Sequence, residues 1–243
     1  MTQYWIQPKT ALVYDDELSQ YQLSPEHPLR PIRLQHMHEL MRASGLLSVE
    51  NVFSPAPRTA SKREIETSHD HDYVSIVEAI SNGGIAPGMG EFGLGTSDNP
   101  IRSGIYETTA LCVGSTLTAS ELVTSGKADV AFAPAGGVHH HAMPRSAAGF
   151  GIFNDAVIAM KAMVEAGLRV AYIDIDCHHG DGVQMGHYDS DQVLTISIHE
   201  SGQWLFPGTG YVQEIGVGDG TGLFGQYPAC AVHTRRSVAR SVR

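Results

Sequence analysis

The hydrophobic pattern of this chain switches repeatedly between two periods. Short apolar runs at residues 10–14, 128–133, 169–173 and 193–199 have the length of buried strands. Between them, apolar residues recur every three or four positions. Leu34, Met37, Leu40 and Met41 form one such series, and Tyr73, Ile76, Val77 and Ile80 a second. A third covers residues 105–123, and Phe153, Val157, Ile158, Met160 and Met163 form a fourth within residues 150–168. Each predicts a helix with one buried face. Gly45, Gly126 and Gly167 close three of them. A shorter helix is expected over residues 183–188. Residues 54–61, rich in Pro and Ala, read as a loop, and the glycine-rich residues 82–95 as a rim loop. His69 and His71 stand among Ser and Asp at a helix start and read as part of its polar capping. Strand–helix–strand alternation predicts an α/β fold, a single parallel sheet flanked by helices on both faces. No internal repeat is apparent. Functional groups in such sheets gather at the carboxyl ends of strands.

Two polar clusters lie at such ends. The apolar run through Tyr172 and Ile173 leads into Asp174-Ile175-Asp176-Cys177-His178-His179-Gly180-Asp181-Gly182. Strand alternation places Asp174, Asp176 and His178 on one side, and turns Ile175 and Cys177 the other way, into packing. Carboxylates at the end of an apolar strand are costly to bury alone, and a divalent cation removes that cost. Asp176 and His178 offer one oxygen and one nitrogen, a pair that suits zinc or ferrous iron. Asp174 and Asp181 remain to orient imidazoles. The second cluster is Gly136-Gly137-Val138-His139-His140-His141. It reads as a metal tract or as a pair of acid–base groups. Two of its histidines with the two spare aspartates would make two Asp–His dyads, in which the carboxylate fixes the tautomer and raises ring basicity.

The bulk properties narrow the field. A length of 243 residues suits one large α/β domain or two small ones. With 17% charged and 42% hydrophobic residues the chain has an ordinary globular composition. A net charge of −10 argues against a nucleic-acid or membrane-surface binder, though not against a basic peptide substrate. Cys112, Cys177 and Cys230 form no spaced framework, which points to a reducing compartment. No charged-then-apolar leader opens the sequence and no apolar run would span a bilayer, so a cytoplasmic location is expected.

The two clusters fall within a longer series of motifs. His27-Pro28 with Arg33, Asp98-Asn99-Pro100, Gly149-Phe150 with Asn154-Asp155, Ser197-Ile198-His199 and Phe206-Pro207-Gly208-Thr209-Gly210 accompany them in order. Together they resemble the histone deacetylase family, including the bacterial acetoin-utilisation-type deacetylases. The resemblance implies an arginase/deacetylase-like sheet and zinc-dependent hydrolysis of acetyl-lysine or a related acetyl amide. Its partners would be an acetylated protein or a small acetylated amine. It implies Asp176 and His178 as zinc ligands, with iron as the other candidate metal. Counting back from Gly149-Phe150, it makes His140 and His141 the acid–base pair, oriented by Asp174 and Asp181. Counting forward from Gly136-Gly137 gives His139 and His140 instead. Asp98 would accept from the substrate backbone, and Phe150 and Phe206 would wall a narrow tube. A monovalent cation, usually potassium, is implied at Asp174, Asp176, His178, Ser197 and Ile198. Arg33 would lie near an internal channel. An arginase-like two-metal hydrolase shares the sheet plan, but the order of the aspartates and histidines follows the deacetylase pattern.

The final segment departs from that pattern. From Leu223 onward there is no acidic residue, and Arg235, Arg236, Arg240 and Arg243 follow. The expected organisation is therefore a C-terminally truncated deacetylase-like domain over residues 1–222 and an aberrant basic tail over 223–243. The family's third metal-ligating aspartate and its oxyanion-stabilising tyrosine find no match. A catalytically dead remnant or a binding protein is the alternative that this leaves.

Overall fold

A computed structural model describes residues 7–84 and 87–229. Strand β1 (Thr10–Leu12) is followed by helix α1 (Ile32–Ala43), strand β2 (Val52–Phe53) and helices α2 (Lys62–Ile65), α3 (His71–Ser81) and α4 (Ile105–Thr124). Strand β3 (Val130–Phe132), helix α5 (Asp155–Glu165) and strand β4 (Val170–Asp174) come next. Helix α6 (Asp181–His187) and strands β5 (Val193–Glu200) and β6 (Phe224–Ala229) complete the order. The parallel α/β plan read from the periodicity is present.

The single sheet is corrected to two. One has the order β2-β1-β3 and the other β4-β5-β6, and every pairing is parallel. Among the described residues no ladder joins β3 to β4. Periodicity reports that a strand is buried, not which strand lies beside it. Strand β6 begins two residues past the boundary expected at residue 222, with Ile198 opposite Tyr227. Composition alone hid it. Cys230 and the four arginines lie outside the described residues.

The main core lies beside the first sheet, where Leu18, Ile65, Tyr73, Val77, Ile105, Leu117, Ile152 and Phe153 pack together. A smaller cluster of Val157, Met160, Val183 and Val193 joins α5 and α6 to the second sheet. The helix expected to start at residue 150 starts at Asp155 instead, because Asn154 caps it: its Oδ1 accepts from the Val157 amide at 3.2 Å. His69 corrects another expectation. It is buried, and its Nε2 accepts from the Asn154 amide at 2.8 Å. It braces the start of α5 and does not cap α3, whereas His71 is exposed and pairs with Glu66.

Burial pushes His69 and His187 from 6.5 down to about 4. The unfolded chain therefore binds more protons than the fold between pH about 6.5 and about 4. The stability contributed by each neutral ring is complete above that window and is lost as pH falls through it. A loss of about 1–3 kcal/mol per ring is expected. Urea midpoints measured across this range would test it. A His187→Gln variant should show a shallower fall, and an unchanged slope would contradict the assignment.

Candidate active site

The site is assembled from the carboxyl ends of β3 and β4 and the loops that follow them. After β3, the chain turns at Gly136-Gly137, and the Gly137 amide donates to Asp155 Oδ2 at 2.9 Å. Thr116 of α4 donates to the same oxygen at 2.6 Å. From the other side, Asn154 Nδ2 donates to the carbonyls of Ala142, at 3.0 Å, and His140. The histidine segment is thus held at both ends by the first residues of α5 and their cap.

That clamp separates the three histidines. His139 is fully buried and its Nδ1 accepts from the Ile152 amide at 3.2 Å, a structural arrangement. His140 Nδ1 lies 2.8 Å from Asp174 Oδ2, and His141 Nδ1 lies 2.7 Å from Asp181 Oδ1. A carboxylate only accepts, so both Nδ1 atoms carry hydrogen and each ring has Nε2 left for a reacting group. The two rings stand 4.0 Å apart. Asp174 Oδ2 also accepts from the Tyr172 hydroxyl at 2.6 Å, and its Oδ1 from the Asp176 amide at 3.0 Å. Tyr172 escaped the sequence reading because it looked like one more apolar residue of the strand.

The two dyads differ electrically. For His140, burial lowers the pKa, but the hydrogen bond and charge of Asp174, with Asp176 and Asp181 nearby, outweigh it and the net shift is upward. For His141, burial and the neighbouring His140 prevail over Asp181 and the shift is downward. Asp174 is held below the usual carboxylate range: burial opposes ionisation, but His140, Tyr172 and the Asp176 amide outweigh it. Two adjacent imidazoles with pKa values driven apart can divide the roles of proton carrier and proton acceptor.

Glycines make the contacts possible. A Cβ on Gly149 would fall 2.3 Å from His141 Cδ2, and one on Gly180 would fall 2.5 Å from Asp174 Oδ2. Phe150 adopts φ 71°, unusual for a residue with a side chain. Its carbonyl accepts from the Tyr21 hydroxyl at 2.7 Å and its ring meets His27 edge-on at 4.5 Å, which together hold it there.

Both dyads open on a cavity of about 550 Å³. Phe150, Phe206, Asp98 and Arg33 line it with His140, His141, Asp176 and His178, whereas Asp181 stands behind His141. The Phe206 ring packs edge-on to His141 at 4.9 Å. Ser197 is buried beside Asp174 across the β4–β5 pair, with its Oγ 2.8 Å from His199 Nδ1, and Ile198 follows it on β5.

At the cavity, Asp176 Oδ1 and His178 Nδ1 are 2.9 Å apart. Cys177 joins them, with Sγ 3.3 Å from His178 Nδ1, and the donor atoms of all three residues lie within 4.8 Å of one another. The expectation that Ile175 and Cys177 face into packing is overturned. Both are exposed, Ile175 by 80%. Strand β4 ends at Asp174, and the His178 amide then bonds back to Asp176 Oδ1 at 2.8 Å. Alternation stops where that turn begins. An oxygen, a nitrogen and a sulfur donor within this span are a donor set able to hold a divalent metal ion. No helix among the described residues is long and apolar enough to cross a membrane.

The family model described as the histone deacetylase domain matches residues 27–240. The acetoin utilization protein AcuC of Bacillus subtilis is 40% identical over 215 residues, which are 88% of this chain and 55% of the relative. The crystal structure of an HDAC homolog from Aquifex aeolicus superimposes with a TM-score of 0.83 at 32% identity, covering 91% of this chain and 59% of that one. An HDAC homolog complexed with SAHA gives a TM-score of 0.82 at 33% identity, covering 90% and 59%. The chain spans little more than half the length of the proteins it resembles.

Proposed function

This chain belongs to the histone deacetylase family, and from that premise we propose that it binds a divalent metal and an acetyl-lysine or related acetyl-amide ligand, with little or no turnover. The observation that carries the reading is that both Asp–His dyads are formed and open on the same cavity as Asp176 and His178. Phe150 and Phe206 would flank the stem of an acetylated amine, and Asp98 would receive its backbone amides. A bound zinc or ferrous ion would polarise the acetyl carbonyl and lower the pKa of the attacking water. His141, kept neutral by burial, is the group suited to accept that water's proton. His140, protonated more readily beside Asp174, is suited to hold a proton near the leaving amine. Asp174 and Asp181 keep both rings in the tautomer that this requires. For a potassium ion, Asp174, Asp176, His178, Ser197 and Ile198 are the proposed surroundings. There Ser197 Oγ already serves His199 and Asp174 Oδ1 serves the Asp176 amide, so backbone carbonyls would supply most of the contacts.

The donor set favours the low-turnover form over full activity. Among the described residues, Cys177 is what joins Asp176 and His178, and no further carboxylate does. No tyrosine among the described residues lines the cavity to stabilise an oxyanion. Loss of one such donor lowers turnover by about 10²–10³. The purified chain is therefore expected to carry about one zinc and to bind an acetyl-lysine peptide. Its hydrolysis should be about 10²–10³ slower than that of a full-length family member. Metal analysis, peptide titration and a deacetylase assay on one preparation test this. Turnover equal to a full-length member would establish the active reading. Absence of both metal and peptide binding would leave the resemblance as ancestry.

A further inference from the structure

We infer that Cys177 is a metal ligand in this chain, completing with Asp176 and His178 a sulfur–nitrogen–oxygen site. The inference rests on the metal-binding reading above and specifies how the ion is held. Three features support it. The first is convergence: Cys177 Sγ is 3.3 Å and Asp176 Oδ1 2.9 Å from His178 Nδ1. With ordinary zinc bond lengths, such donors on a tetrahedral ion lie about 3.3–3.6 Å apart. The two distances to His178 Nδ1 are close to that range, and all three donors lie within 4.8 Å of one another. Side-chain rotation would have to close only the remaining Asp176–Cys177 separation.

The second is the turn that gathers three consecutive side chains. After β4, the His178 amide donates to Asp176 Oδ1, while the Cys177 carbonyl accepts from the Glu200 amide at 2.9 Å. The backbone of Cys177 is thereby fixed to β5 while its side chain stays exposed and outside the apolar core. A thiol in this position has no packing role to give up on binding a metal.

The third is location. Asp176 and His178 line the cavity into which the His140 and His141 rings open, and the His178 ring lies 5.8 Å from that of His141. Cys177 lies outside that lining, so it would hold the ion from the side away from the cavity while Asp176 and His178 would hold it from the cavity wall. Binding would exchange the S–H bond for a metal–sulfur bond and release one proton to solvent. A thiolate also shifts preference from iron toward zinc and other softer ions.

The test is titration of the reduced full chain with Co²⁺, read by absorption, for the parent and for Cys177→Ser and Asp176→Ala. The expected parent spectrum has a thiolate-to-cobalt charge-transfer band in the near ultraviolet together with visible ligand-field bands of a four-coordinate ion. C177S should lose the charge-transfer band and bind about tenfold or more weakly. D176A should lose most binding while its far-ultraviolet circular dichroism stays unchanged. Cobalt binding by the parent without the charge-transfer band, or with the same band and affinity in C177S, would overturn the role of Cys177 and leave the metal-binding reading intact. No cobalt binding by the parent would overturn both.

Discussion

Replacement of Asp174 with alanine is expected to lower the unfolding free energy by about 3–5 kcal/mol, the usual consequence of removing one member of a buried charged pair. Asp174 is the most heavily used side chain of the site. One oxygen accepts from His140 Nδ1 and the Tyr172 hydroxyl, and the other from the Asp176 amide. Alanine leaves all three donors without that acceptor, in a place where water replaces it poorly, at about 1–3 kcal/mol for each one left unsatisfied. Asparagine keeps the volume and one acceptor, so D174N should lose clearly less. The effect has a pH signature. The His140 pKa is raised in the fold, so the attraction to Asp174 is complete below pH about 6.5 and fades as pH rises through the raised value. The Asp174 pKa is lowered, so the same attraction disappears again when pH falls through that value. Urea denaturation of parent and variant at pH 6 and pH 8 should give the larger difference at pH 6. A D174A protein within about 1 kcal/mol of the parent at pH 6 would show that the network does not hold the site together.

The second large effect concerns association. The isolated chain should self-associate as its concentration rises, and a double Ile173→Lys, Ile175→Lys variant should suppress this. Ile173 is 62% exposed and Ile175 80%, on or next to β4. Val130 and Phe132 of β3 are also exposed. Each strand lacks a neighbour on one side among the described residues, which leaves backbone donors and acceptors beside apolar side chains. Such an edge is a template for another chain, and lysine on it is a common protection. Light scattering coupled to size exclusion should show an apparent mass rising by about twofold or more for the parent and staying near the monomer for the variant. Circular dichroism would establish that the variant is folded. A parent that stays monomeric throughout would show that these edges are covered.

The extent to which the site was legible varies residue by residue. The dyad aspartates could be found because each is a carboxylate with no other partner near an apolar strand, a cost that demands an explanation. The choice among His139, His140 and His141 could not be made from residue types, since three identical side chains in a row differ only in surroundings. It follows from the clamp: Asp155 holds the Gly137 amide, Asn154 reaches the Ala142 carbonyl, and His139 is turned under Ile152. Asn154, Asp155 and His69 act through long-range contacts, and no local period reveals a contact across 85 residues such as that between His69 and Asn154. For Cys177 the opposite holds: alternation is a local rule, and it ceases to apply because β4 stops at Asp174.

The sequence by itself therefore determined the order of the longer helices and of β1, β3, β4 and β5, the parallel α/β class, and the presence of two aspartates able to pair with two of the three histidines, but not the short β2 and α2 or the strand β6. These depend on the burial preference of single residues and on charges that need a partner, both properties of the local chain. Tertiary structure decided the rest: two three-stranded sheets in place of one, His140 and His141 as the rings facing the cavity, and Cys177 beside Asp176 and His178. Strand neighbours, ring orientation and donor convergence are relations between distant segments or consequences of a turn, and their energies exist only once those segments are in contact.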